Sequence, residues 1–310
     1  MKQSEKKRKI YAKNTKKELL LSSAIDNFLL DCRSRNLSKS TLRNYSTVNR
    51  FLLEFVGDVD IYSITDTDIK NYIITCIDRN VSSCTLRTYI KAIKILFRYY
   101  NIELDVSLPK AETKVKEVFT SEEISRLLAK PKKRSFTHIR DYTIVCALLG
   151  TGVRANTLVN LKWKHINFNN DTIFLEVTKT NKQYYIPLSS ALKGVLKEWR
   201  TITPLDDDEN YVFTTHWGDK MACDTLKAMI QNYHKARNVS GRGTHKYRRT
   251  YATTFIRNEG NLLHLQQMLG HSKLDTTKMY CAIDVNDIKN RYSTKNVLDM
   301  NLKRKVKLQK

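Results

Sequence analysis

Ile166-Asn167-Phe168-Asn169-Asn170-Asp171-Thr172-Ile173-Phe174-Leu175-Glu176-Val177-Thr178-Lys179-Thr180-Asn181-Lys182-Gln183-Tyr184-Tyr185-Ile186-Pro187 is the stretch that decides the fold. Its β-branched and aromatic residues fall in three short runs, Ile166 to Phe168, Thr172 to Val177 and Tyr184 to Pro187. Asn169-Asn170-Asp171 and Thr180-Asn181-Lys182, which separate the runs, are residue types that turn the backbone at low cost. The pattern predicts a small three-stranded antiparallel sheet with Lys179 at the tip of its second hairpin. On both sides of this stretch the apolar period is helical, so the fold class is mainly α with a small antiparallel β-sheet.

Upstream, an apolar helix is predicted from Phe136 to Leu149, stopping at Gly150-Thr151-Gly152, with Arg154 opening another short helix. Thr120-Ser121-Glu122-Glu123 has the form of a capping box and starts this domain. Residues 104–118, with Pro109 and no usable period, read as a linker. Before it, Leu42, Tyr45, Leu52 and Phe55 mark one amphipathic helix, and Leu86, Ile90, Ile93, Phe97 and Tyr100 mark another. Ser38-x-x-Thr41-Leu42-Arg43-x-Tyr45 returns forty-four residues later as Ser82-x-x-Thr85-Leu86-Arg87-x-Tyr89, each copy with small polar residues suited to capping a helix. With a helix near Leu19 and another over Thr65 to Cys76, residues 18–103 form a compact helical domain. The whole reads as a basic flexible tail (1–17), this helical domain, the linker, a second domain (119–300) and a basic C-terminal tail (301–310). Beyond the sheet the pattern returns to helix, except at Asp206-Asp207-Asp208-Glu209, read as a solvated loop.

The 310 residues include 55 Lys and Arg against 31 Asp and Glu, a net charge of +24. The excess is not confined to the tails: residues 1–17 hold eight bases and one acid, residues 303–310 five bases and no acid, and half of the net charge stays between them. Such a surplus repels itself unless a polyanion neutralises it, which makes nucleic acid the leading partner. Arg87, Lys91, Lys94 and Arg98 recur at i, i+4, i+7 and i+11 with no acid in the row, a ridge suited to phosphates; Arg43 holds the place of Arg87 in the first repeat. The longest apolar stretch, Ile144 to Gly150, is too short to span a bilayer, and no apolar segment follows the basic N-terminus as in a secretory signal. The expected location is the cytoplasm. Six scattered cysteines without a Cys-x-x-Cys pair disfavour zinc ribbons and a secreted disulfide framework.

Two imidazoles, a guanidinium and a phenol then gather within thirty-six positions. His245 and Arg248 stand at i, i+3 on a helix whose start is marked by Gly243-Thr244, near the positive end of its dipole. A guanidinium holds two phosphate oxygens bidentately, and an imidazole beside it donates to an oxygen or takes a proton. Gly270 has the look of a helix C-cap, with His271 after it, and Tyr280 lies on a short helix opened by Asp275-Thr276-Thr277. Taken singly, each has an ordinary structural reading; as a set they point to phosphodiester chemistry on DNA.

Gly152-Val153-Arg154, Thr178-Lys179-Thr180, Thr244-His245-x-x-Arg248-Arg249-Thr250-Tyr251-Ala252-Thr253, Leu269-Gly270-His271 and Thr276-Thr277-x-x-Tyr280 together resemble the tyrosine recombinase (phage integrase) family from about residue 119 to 283, and residues 18–105 resemble its helical SAM-like core-binding domain. The resemblance implies a two-domain clamp around duplex DNA and a site-specific recombinase that needs neither metal nor ATP nor any other cofactor. Arg154 and Arg248 would clamp the scissile phosphate and His271 would add a hydrogen bond. Lys179 would protonate the leaving 5′ oxygen, His245 would assist proton transfer, and Tyr280 would attack to give a 3′-phosphotyrosyl link resolved through a Holliday junction. Four protomers, monomeric or weakly associated when free, would act on two double-stranded sites, with accessory DNA-bending or directionality proteins as further partners and no membrane. The implied source is a bacterium, phage or transposon, with the protein at the nucleoid.

The chain departs from the family at several places. Thr157 stands where a glutamate is usual, His165 where an aspartate is common, Tyr247 where leucine is usual, and Arg249 replaces a common histidine. Lys182 is a rival to Lys179 as general acid. The alternatives are a type IB topoisomerase-like nicking and closing enzyme and a DNA-binding regulator that keeps the fold without the chemistry.

Overall fold

The structure is a computed structural model that describes residues 18–110, 117–177, 182–203, 207–241, 243–258 and 260–270. The chain divides into two compact units, Met1–Val115 and Lys116–Lys310.

In the first unit the described elements are α1 (Leu21–Ser34), α2 (Lys39–Val56), a 3-10 turn at Ile61–Ser63, α3 (Asp66–Asp78) and α4 (Ser83–Tyr99). The sequence repeat becomes a repeated structural device. Ser38 and Ser82 share nearly the same extended backbone and accept hydrogen bonds from the amides of Thr41 and Thr85 at 3.2 and 3.3 Å, satisfying the first turns of α2 and α4. It also reaches further upstream than the sequence reading took it. Arg35-Asn36-Leu37 and Arg79-Asn80-Val81 end the preceding helices with an asparagine at φ 55° and 57°, so one helix closes and the next is capped within four residues. Thr65 and Asp68 form a reciprocal capping box at the head of α3. Apolar stripes of the four helices close over a core containing Phe28, Leu52, Ile69, Ile90, Leu96 and Phe97.

The second unit runs α5 (Ser121–Leu127), α6 (Phe136–Thr151), α7 (Ala155–Val159), β1 (Ile166–Asn167), β2 (Thr172–Val177), β3 (Lys182–Pro187), α8 (Ser190–Ile202), α9 (Cys223–Ala236), α10 (His245–Arg257) and α11 (Leu262–Leu269). The sheet has the order β1-β2-β3, both pairs antiparallel, with Ile173 opposite Ile186 and Leu175 opposite Tyr184. Its first turn works as its asparagines predict: the Asn167 side chain accepts from the amides of Asn169 and Asn170, and Asp171 takes φ 50°. β3 begins two residues earlier than the aromatic run indicated, because antiparallel pairing carries past Tyr184 to Lys182 opposite Val177. One face of the sheet, with Ile173, Leu175 and Ile186, joins Leu148, Trp163, Leu196, Trp199 and Phe213 in the core.

The acidic run is not a freely solvated loop in its described part. Asp208 pairs with Arg200 at 2.9 Å, and Glu209 takes Lys162 and Lys164 at 3.0 and 2.8 Å. These ion pairs are exposed and contribute little each; the backbone hydrogen bonds from Trp163 to Asn210 and from Val212 to Leu161 do more to hold the segment. No described helix is long and apolar enough to cross a membrane.

Candidate functional site

Arg154 and Arg248 lie 94 positions apart in sequence and meet at one backbone atom. α6 ends where Gly152 turns left-handed at φ 62°, and a Cβ there would stand 2.6 Å from the Tyr251 ring, so this turn needs glycine on two counts. α11 ends the same way at Gly270, φ 61°. Each turn leaves a carbonyl at the negative end of a helix pointing into the space between them. Arg248, 4% exposed, fills that space: Nη1 donates to the Gly152 carbonyl at 2.9 Å and Nη2 to the Leu269 carbonyl at 2.6 Å. Arg154, the residue that opens α7, sends Nη1 to the same Leu269 oxygen at 3.4 Å. A buried and a half-buried guanidinium are thereby fixed side by side on backbone carbonyls, an arrangement suited to an anion.

α10 carries His245 and Arg248 one turn apart, as their spacing predicts. His245, its first residue, is exposed, while the next three residues are buried. The burial anchors the helix. Lys246 Nζ reaches Glu123 at 3.2 Å and the Ser240 carbonyl at 3.1 Å, and lies 4.4 Å from the Phe119 ring centre. Burial pushes the Glu123 carboxyl up, but the Thr120 amide, Lys246 and Ser240 outweigh it and hold it below the usual range. The Tyr247 hydroxyl pairs with His234 Nε2 at 2.7 Å, and His234 Nδ1 pairs with the Gly241 carbonyl at 2.9 Å. Burial lowers the His234 pKa, which favours the neutral ring; Nδ1 then donates to the Gly241 carbonyl and Nε2 accepts from the Tyr247 hydroxyl. Tyr247 thus stands in place of a smaller apolar residue because its polar end has a partner. Thr250 takes the Phe119 amide at 2.9 Å and Arg249 donates to the Glu117 carbonyl at 3.0 Å, so residues 117–123 strap the outer side of α10.

Two further departures have a place in the structure. Thr157 stands between a small apolar cavity lined by Val153, Leu161, Ile173 and Leu175 and a polar cleft lined by Lys162, Lys164 and His165. His165 Nδ1 accepts from the Lys162 amide at 3.2 Å and its ring meets Phe174 edge-on.

Lys179, His271 and Tyr280 lie outside the described residues, although Lys179 is bracketed by the Val177–Lys182 pair and His271 directly follows Gly270. Among the five cations placed on the helical unit, Arg43, Lys91 and Arg98 are exposed and Lys94 is half-buried. None of these four pairs with a described acid. Arg87 differs: it is half-buried and donates to the Pro109 carbonyl, which takes it partly out of the ridge. No cluster of His, Cys, Asp or Glu among the described residues has metal-holding geometry. Sequence reasoning overlooked Tyr184, whose ring lies against Gly270, and the signal was available: period-2 alternation puts Tyr184 on the inner face with Ile186 and Tyr185 outside, where it is 68% exposed.

The profile of the phage integrase family matches residues 117–287, and that of the phage integrase N-terminal SAM-like domain matches residues 25–103. The chain belongs to the phage integrase family. This integrase-family chain is 25% identical to tyrosine recombinase XerA of Pyrococcus furiosus over 291 residues, 92% of its own length and 98% of the relative's. It is 27% identical to tyrosine recombinase XerC of Pediococcus pentosaceus over 195 residues, 60% of its length and 64% of that relative's, so this second match spans just under two thirds of the curated protein. Its fold is similar to that of a lambda integrase tetramer bound to a Holliday junction, with a TM-score of 0.70 at 18% identity, covering 86% of this chain and 78% of that one.

Proposed function

We propose that this chain is a site-specific DNA recombinase that cuts and rejoins strands through a 3′-phosphotyrosyl intermediate. The observation that carries the reading is the convergence of Arg154 and Arg248 on the Leu269 carbonyl, one residue from Gly270 and two from His271. A phosphodiester attacked in line gathers negative charge on its non-bridging oxygens, and guanidiniums already held in place stabilise that charge without reorganising. His271 adds a hydrogen bond there, Lys179 protonates the leaving 5′ oxygen, His245 assists proton transfer at the nucleophile, and Tyr280 attacks phosphorus. The P–O5′ bond breaks as the tyrosyl ester forms. That ester keeps the energy of the broken bond, so a 5′ hydroxyl from a second strand reverses the step without ATP, and the two guanidiniums take the part a metal plays elsewhere.

DNA is engaged by residues 18–103 through Arg43, Arg87, Lys91, Lys94 and Arg98, and residues 119–300 carry the chemistry. The basic segments 1–17 and 301–310 supply further phosphate contacts, and four copies assemble on two sites with strand exchange through a Holliday junction.

The test uses a duplex site selected by the protein from random DNA and then nicked beside the scissile phosphate, so that the released fragment diffuses away and cannot religate. Wild type is expected to give a covalent adduct on a denaturing gel and Tyr280→Phe none. An undiminished adduct with Tyr280→Phe removes Tyr280 as the nucleophile.

A further inference from the structure

We infer that Tyr184 is a further catalytic residue, a phenol that donates a hydrogen bond to the anion held by Arg154 and Arg248; the inference rests on the phosphodiester reading of that site. Its position comes from three independent features. β3 pairs Tyr184 opposite Leu175 and turns it to the inner face of the sheet, toward the end of α11. At that end, a Cβ added to Gly270 would stand 2.8 Å from the Tyr184 hydroxyl and 2.9 Å from its Cζ, so the phenol occupies the space a side chain would take at residue 270. The preceding residue, Leu269, is the one whose carbonyl both arginines share. Hydroxyl and guanidiniums are therefore gathered around two consecutive residues at one helix end.

The chemistry of the phenol suits an anion and little else nearby. Both guanidiniums are close enough to act on it electrostatically, yet burial outweighs them and pushes its pKa above the ordinary value, so it keeps its proton at neutral pH. It makes no hydrogen bond to a described residue. A half-buried hydroxyl ordinarily finds a partner; the guanidiniums nearby cannot accept, and the Leu269 carbonyl already accepts from both of them. An incoming oxyanion can. A protonated phenol beside two guanidiniums is then a third donor, and a neutral one: its hydrogen bond strengthens where oxygen charge rises in the transition state, and it adds no net charge to the long-range attraction for DNA.

The experiment is single-turnover cleavage of the nicked duplex by wild type and Tyr184→Phe, on an all-phosphate strand and on each diastereomer of a methylphosphonate at the scissile position. Tyr184→Phe should still form the adduct, at a rate roughly tenfold to a hundredfold lower and with duplex affinity unchanged, somewhat less than the loss of a donor in a dedicated oxyanion hole. On the diastereomer whose methyl replaces the accepting oxygen, wild type and Tyr184→Phe should react at the same rate, since there is no acceptor left to lose. The inference is overturned by equal rates on the all-phosphate strand, or by a penalty of the same size on all three strands, which marks a packing role only. Absence of an adduct from wild type on the all-phosphate strand overturns the phosphotyrosine reading, and this inference with it.

Discussion

Arg248 on α10 and Lys91 on α4 are both cations on helices, and their surroundings have little in common. Arg248 is buried, its plane set by carbonyls from two helix ends, and the strands of backbone behind those carbonyls are held by left-handed glycines. Lys91, Lys94 and Arg98 stand on a partly or fully exposed face with no described acid to hold them. A fixed guanidinium addresses oxygens at one place and is useless a bond length away. A solvated ammonium addresses any phosphate within its reach and gains by releasing counterions. On the proposed function, the contrast separates two demands on a DNA strand transferase, holding the duplex and stabilising one phosphorus centre, and gives them to different kinds of cation.

The contrast is easiest to break at its anchor. Lys246→Met removes the partner of a buried carboxylate and is expected to cost about 3 kcal/mol of folding stability, read as a lowered denaturant midpoint; a change below about 0.5 kcal/mol, the range of ordinary surface substitutions, would mean that α10 does not depend on Glu123. Next come the guanidiniums: Arg248→Lys and Arg154→Lys keep the charge and lose the fork, and cleavage at saturating protein should drop by roughly 10²–10³, the size of an oxyanion-hole loss. Replacing Lys91, Lys94 and Arg98 together by Ala should lower the slope of log affinity against log salt by about 2.7, at about 0.9 per phosphate contact, while leaving cleavage at saturation intact. The smallest effect is on pH. His234 is lowered from an unfolded value near 6.5, so below that value the unfolded chain binds more protons than the folded one. Stability is complete above pH ~6.5 and is lost as pH falls toward the folded pKa. Thermal unfolding should move to lower temperature between pH 7 and 5, and His234→Gln should flatten that part of the curve.

Local signals carried much of the architecture. Ser38, Thr65, Ser82 and Thr120 cap helices where their types and spacing say they should, and Asn167 to Asp171 turn the sheet. Gly152 and Gly270 announce helix ends because glycine takes the left-handed turn at little cost. What escaped was whatever depends on two distant segments meeting. Nothing local in Leu269 says that its carbonyl gathers two arginines, and an isolated Glu123 reads as half of a capping box although it also closes a buried pair with Lys246. Tyr247 appears misplaced until His234, thirteen residues upstream, supplies its partner. Arg87 has the spacing of its ridge and a different partner, the Pro109 carbonyl, which no helical period encodes.

The central claim is that buried guanidiniums stabilise the reacting phosphate while the exposed ridge only holds the duplex. It is tested most directly by measuring duplex affinity and single-turnover cleavage at saturating protein for Arg248→Lys and for the Lys91, Lys94, Arg98 triple alanine variant, side by side. Arg248→Lys should lose cleavage by two orders of magnitude or more with affinity changed less than about threefold, well under 1.4 kcal/mol, and the triple variant should show the reverse. Two variants that lose affinity and saturated cleavage in the same proportion would contradict the account.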